Sequence, residues 1–102
     1  MKILLVCSAG MSTSLVVEKM KAAAVDKGLD AEIIAIPLEE FENQIKNYDV
    51  ALLGPQIKFK KDEFQKIAEN YGKKVDVINT MDYAMLNGEK VLNFAIGLTE
   101  KG

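Results

Sequence analysis

Apolar residues along this chain take two forms, short unbroken runs and stripes at helical spacing, and the two forms alternate. The run Ile-Leu-Leu-Val at residues 3–6 predicts a first strand over residues 2–7, unbroken as in a strand covered on both faces. Leu15, Val16, Met20, Ala23 and Ala24 then recur at helical spacing. They predict a helix over residues 12–27, capped by Ser12 or Thr13 and stopped by Gly28. A β-branched stretch at residues 32–36 predicts the second strand. Pro37 reads as the first residue of a second helix, with Leu38, Phe41, Ile45 and Tyr48 as its apolar stripe. The third strand is expected at residues 49–54, running into Gly54-Pro55-Gln56. A third helix over residues 62–71, closed by Gly72, leads to a fourth strand over residues 74–78. A loop over residues 79–87 and a last helix over residues 89–100, turned inward through Val91, Leu92, Ala95 and Ile96, complete the pattern.

Strands alternating with helices predict an α/β fold: a three-layer sandwich whose parallel sheet has helices on both faces and right-handed crossovers. The expected strand order is 2-1-3-4. In such sheets ligands sit beyond the carboxyl ends of the strands, where strand order reverses. The loops able to contribute are residues 7–14, 54–61 and 79–87. The order 2-1-3-4 places the first two side by side, so that Cys7 faces Pro55 and Gln56.

Composition narrows the chemistry. With 102 residues the chain is read as a single domain, 1–102. A net charge of −2 argues against nucleic acid as a partner. The lone cysteine precludes an internal disulfide and fits a reducing compartment, and no apolar run reaches the length of a signal peptide or a membrane span. A cytoplasmic location is expected. Two absences weigh more. There is no histidine, so Ser/His, Cys/His and His-ligated metal chemistry cannot be assembled within the chain. There is no arginine either, since all 13 basic residues are lysines, so a bidentate arginine clamp on phosphate is missing.

Against that background the stretch Cys7-Ser8-Ala9-Gly10-Met11-Ser12-Thr13-Ser14 is the candidate site. It joins a strand to a helix through small, hydroxylic and flexible residues, the geometry of an anion cradle. Loop N–H groups and the positive end of the helix converge there. A cysteine at the mouth of such a cradle is placed to act as a nucleophile. The pattern is C-x5-T-S, whereas cysteine phosphatases use C-x5-R-[ST], with the arginine stabilising the transition state of hydrolysis. Thr13 stands at the arginine position. The cradle is kept and the clamp is lost, which suits holding a phosphoryl group on Cys7 without hurrying it to water. Gln56, at a strand end, can donate to a phosphoryl oxygen without adding charge. Asp82 and Tyr83 lie in the third loop, where a phosphatase of this topology carries its general acid. Their bland reading is a turn cap and a rim residue. Lys58 and Lys60 read as solvated, with a minor part in steering an acidic partner.

Residues 5–14 resemble the phosphocysteine loop of the lactose/cellobiose-type IIB components of the bacterial sugar phosphotransferase system. Leu52-Leu53-Gly54-Pro55-Gln56-Ile57 resembles that family's second signature, and residues 83–92 resemble its C-terminal segment. Ala84 and Asn87 depart from the family's Gly and Asp, and Phe59 from its Tyr, which bears on the shape of the third loop. The resemblance implies a fold similar to low-molecular-weight tyrosine phosphatase and a phosphocarrier needing no cofactor. Cys7 would accept a phosphoryl group from a phosphohistidine of the IIA component. It would pass that group to a di- or oligosaccharide imported through the membrane IIC transporter, which would recruit the protein to the inner face of the membrane. Two other readings stay open on the residues alone. One is a low-molecular-weight phosphatase or arsenate-reductase-like enzyme with Asp82 as acid, and the other is a non-catalytic anion sensor.

Overall fold

In the computed structural model, which describes residues 1–8 and 11–100 (backbone only at 11, 12 and 100), strands and helices alternate as the pattern predicts. Strand β1 (Lys2–Cys7) carries Ile3 and Leu5 toward one face and Leu4 and Val6 toward the other, and all four are fully buried. That is the physical reason for an unbroken apolar run: both faces are covered. On the first face lie Val16 and Met20 of α1 (Met11–Asp26) with Val91, Leu92 and Ala95 of α5 (Gly88–Glu100). On the second lie Phe41 of the short helix α2 (Phe41–Gln44) and Phe64 and Ala68 of α3 (Lys61–Glu69). The rings of Phe41 and Phe64 stack with centroids 4.1 Å apart.

The sheet is parallel throughout, in the order β2-β1-β3-β4, with β2 at Glu32–Pro37, β3 at Val50–Leu53 and β4 at Lys74–Val77. The register sets Val6 opposite Leu53 on one side, and Cys7 opposite Pro37 on the other. The expected order and both-face covering are therefore what is found, and β1 lies inside the sheet.

Local differences have local causes. Pro37 ends β2 rather than opening a helix, and the next residues form two 3₁₀ turns, Leu38–Glu40 and Ile45–Asn47, on either side of α2. Phe41, Ile45 and Tyr48 are still the buried stripe. A spacing of three and four residues satisfies a 3₁₀ turn as well as an α-helix, so periodicity alone does not separate them. The first helix starts at Met11, which puts Ser12 and Thr13 in its first turn and not at the cap. A 3₁₀ segment, Pro55–Lys60, precedes α3, and the third loop holds a short helix, α4 (Thr80–Ala84). Asn79 caps α4, its Oδ1 accepting from the N–H groups of Met81 at 2.9 Å and Asp82 at 3.1 Å. Asn79 at that position is the cap signal that the pattern of apolar residues does not carry.

Tyr48 is buried, and its hydroxyl titrates above the usual 10.0 because burial penalises the phenolate and the Glu32 carboxylate repels it. The unfolded chain ionises this tyrosine first, so this group's contribution to stability is complete below pH 10.0 and is lost as pH rises through the folded-state value. Tyr48→Phe is expected to flatten that alkaline decline in a series of melts from neutral pH upward. An unchanged slope would remove Tyr48 from the cause.

Candidate functional site

Cys7 ends β1 with 1% of its surface exposed, and only Ser8, Ala9 and Gly10 separate it from the first turn of α1. The N-terminus of α1 thus follows the end of β1 within a few residues, and the first-turn N–H groups of a helix have no partner within it. The helix adds its positive pole there. Ala9 and Gly10, two members of the expected cradle, lie outside the described residues, as do the side chains of Met11 and Ser12. Ser8 and Ser14 are exposed. Thr13 is fully buried, and among the described residues its Oγ1 has no hydrogen-bond partner. A buried hydroxyl without a partner costs about 1–3 kcal/mol, so such groups are rare without a functional reason.

The second loop packs beside the first. Gly54 N–H donates to the carbonyl of Val6 at 2.9 Å, one residue before the cysteine, and Ile57 N–H closes a tight turn onto the Gly54 carbonyl at 3.0 Å. Gln56 folds back over Gly54. A Cβ on Gly54 would collide with Gln56 Oε1 and stand 3.2 Å from its Cδ and 3.6 Å from the Val6 carbonyl. The missing side chain at Gly54 is thus what seats the Gln56 carboxamide next to the end of β1. Pro55 opens the 3₁₀ segment, where its lack of an N–H costs nothing.

The third loop closes the group. Gln56 Nε2 donates to the Tyr83 hydroxyl at 3.1 Å, joining the segment after β3 to α4. The sequence placed both residues on the same rim of the sheet but carried no sign of this bond, which depends on how far α4 reaches across. Asp82, with Val77, Ile78, Asn79, Val91 and Phe94, lines a cavity of about 340 Å³ between β4, α4 and α5. Among the described residues those walls include neither Cys7 nor Gln56. The lysines after β3 are largely engaged at the surface: Lys60 pairs with Glu63 at 3.3 Å and Lys61 with Asp76 at 3.2 Å, while Lys58 is exposed.

A four-stranded parallel sheet in the order 2-1-3-4, with helices on both faces and a buried cysteine at the end of an inner strand, defines the class of α/β fold. Within it the chain belongs to the lactose/cellobiose-specific IIB subunits of the phosphotransferase system, whose family model matches residues 2–94. The cellobiose-specific EIIB component of Lactococcus lactis subsp. lactis (strain IL1403) is 48% identical over 101 residues, covering 94% of this chain and 94% of that protein. The oligo-beta-mannoside-specific EIIB component of Bacillus subtilis (strain 168) is 45% identical over 97 residues, covering 95% of this chain and 94% of that one. The solution structure of a cellobiose-specific IIB component from Borrelia burgdorferi superposes with a TM-score of 0.82 at 42% identity, covering 99% of this chain and 93% of that one. The protein is therefore a phosphotransferase component of a sugar phosphotransferase system. Among the described residues no helix is long and apolar enough to cross a membrane.

Proposed function

We propose that residues 1–102 act as one phosphocarrier domain in which Cys7 Sγ holds the phosphoryl group. The thiolate attacks the phosphorus of a phosphohistidine on the IIA component. The S–P bond forms as the P–N bond breaks, and the imidazole leaves with its electron pair. A hydroxyl of a di- or oligosaccharide held by the membrane IIC transporter then attacks the same phosphorus. The O–P bond forms as the S–P bond breaks, the sulfur leaves with its electron pair as the thiolate, and the hydroxyl's proton is lost to solvent. The protein works in the cytoplasm and meets IIC at the inner face of the membrane.

The observation that carries this reading is the position of Cys7, on an inner strand and at the N-terminus of α1. Phosphoryl transfer depends on positioning and on donors aimed at the phosphoryl oxygens, and a helix N-terminus supplies both. Backbone N–H groups of residues 8–14 are the proposed donors, together with the hydroxyls of Ser12, Thr13 and Ser14. The orphaned Thr13 hydroxyl supports this, because a phosphoryl oxygen would supply the partner it lacks. The absent arginine fits a carrier better than a phosphatase, since slow hydrolysis preserves the group for transfer. The sugar is not chosen by similarity: relatives at 48% and 45% identity are named for cellobiose and for oligo-beta-mannosides.

The test is mass spectrometry of the intact protein after incubation with phosphoenolpyruvate, the general phosphotransferase proteins and a IIA component. One phosphoryl increment, mapped to Cys7, is expected, with almost no turnover of p-nitrophenyl phosphate. An increment on another residue, or brisk hydrolysis, overturns the reading. Thr13→Val separates the hydroxyl from its shape. Removing a buried donor that has no partner should leave the melting temperature equal or higher, while transfer slows about tenfold if the hydroxyl serves the phosphoryl group. A lower melting temperature with unchanged transfer would make the hydroxyl structural.

A further inference from the structure

We propose that Tyr83 is a positioning residue for this transfer: its hydroxyl sets the rotation of the Gln56 carboxamide, so that one amide N–H is presented to the phosphoryl group on Cys7. The inference rests on the reading that Cys7 carries that group.

Three observations fix the amide. Its oxygen, Oε1, lies against Gly54, in space that any other residue's Cβ would fill. Its nitrogen, Nε2, donates one hydrogen to the Tyr83 hydroxyl at 3.1 Å, and among the described residues the other hydrogen has no partner. Gly54 itself is bonded through its N–H to the carbonyl of Val6, the residue before Cys7. The carboxamide is therefore bonded at its nitrogen and packed at its oxygen against Gly54, whose N–H bonds the residue before the thiol, with one donor left over.

The chain's composition gives that donor a task. A phosphoryl group moving between proteins spreads negative charge over its oxygens, and the chain has no arginine to meet it. A carboxamide N–H meets the charge without adding a formal positive charge that would hold the group too firmly for onward transfer. A donor oriented beforehand needs no reorganisation when the reaction occurs, and that is where such groups gain their effect. Gln56 alone, exposed on a 3₁₀ segment, would rotate freely. Tyr83 removes that freedom. It is half-buried, its ring packed against the cluster formed by α1, α5 and the sheet, so the hydroxyl is presented from a rigid base. Because Gln56 is exposed, the bond adds little to stability, and its loss is read in transfer and not in melting.

The experiment is a double-mutant cycle on the full chain, read as the single-turnover rate of transfer from phosphorylated IIA component to Cys7, with a melt for each variant. Tyr83→Phe keeps the ring and removes the hydroxyl, and transfer is expected to slow about tenfold. Gln56→Ala removes the donor itself and should slow transfer on the order of 100-fold. The double variant should be no slower than Gln56→Ala, since Tyr83 acts only through Gln56. Gln56→Glu, of the same shape but without an N–H, should be slower still, because a carboxylate repels the phosphoryl group. All melting temperatures should match that of the parent. Multiplying effects in the double variant, a Tyr83→Phe rate equal to the parent's, or a slowing that tracks a lower melting temperature would each overturn the inference. A parent protein that accepts no phosphoryl group on Cys7 would sink the underlying reading as well. A parent that is phosphorylated on Cys7 while the cycle multiplies sinks the role of Tyr83 alone.

Discussion

Cys7→Ser is expected to fold as the parent does and to accept no phosphoryl group. The substitution exchanges one atom at a strand end that is already buried and held by β2 and β3 on either side, so the sheet keeps its register. The cost is that of placing a hydroxyl where a thiol was, at most about 1–3 kcal/mol. The chemistry does not survive the exchange. A serine hydroxyl stays protonated at neutral pH, and this chain has no histidine to serve as its base. Loss of a nucleophile removes several orders of magnitude in rate, so the phosphoryl increment should fall by more than about 10⁴-fold and vanish from the spectrum. Circular dichroism melts on the same sample establish that the fold is intact. A serine variant that is phosphorylated as fully as the parent would mean that another residue carries the group, and the assignment of Cys7 would be wrong.

The largest effect on stability is expected at Gly88. Gly88 is the first residue of α5 and is buried where that helix crosses α1. A Cβ there would collide with the carbonyl carbon of Lys19, and would lie 2.5 Å from its oxygen and 2.6 Å from its Cβ. These are mainly backbone atoms in the middle of a helix, so no side chain can rotate to relieve the contact. One helix must move off the other and open the core that Val16, Met20, Val91 and Leu92 share. Overpacking of this kind costs about 1–3 kcal/mol, which in a domain of this size lowers the melting temperature by roughly 5–20 °C. Helix propensity alone points the other way, since alanine exceeds glycine by about 1 kcal/mol within a helix. Gly97, further along α5, tests that term by itself, because nothing lies within 4 Å of its added Cβ. Gly97→Ala is therefore expected to raise the melting temperature and Gly88→Ala to lower it. If both rose, the close crossing of α1 and α5 would not be a constraint in solution.

Helix α4 and Leu86 illustrate what lies between sequence and site. Residues 79–87 carry few apolar positions at a regular spacing, so they read as a loop, yet Asn79 caps a helical turn there. Leu86 then takes a left-handed backbone, φ +54°, which is uncommon for a leucine. Its side chain packs against the same core cluster as Tyr83, while the next residue, Asn87, accepts from the Lys90 N–H at 3.2 Å and so begins α5. The turn is thus held by what flanks it on both sides. The local propensity of leucine is overridden, and Tyr83 is left facing Gln56.

The sequence by itself determined the four strands and the long helices α1, α3 and α5, though not α4 or the 3₁₀ turns, because an unbroken apolar run is stable only between two covered faces and a stripe only against one. It also determined the short passage from Cys7 into a helix, and with it the chemical type of the site, because residue identities limit what chemistry is available. A chain without histidine or arginine is left with one thiol, backbone amides, hydroxyls and lysines. The tertiary structure alone decided what depends on distance across elements. It left the Thr13 hydroxyl buried without a partner among the described residues, placed Asp82 on a cavity with Phe94 and Val91, and set Tyr83 within reach of Gln56. It also made Gly88 a point of helix contact where the chain shows only a glycine at a helix start. The physical reason is the same in each case. Periodicity and composition are properties of neighbours along the chain, whereas a hydroxyl's partner or a Cβ's clearance is set by residues brought together only when the layers pack.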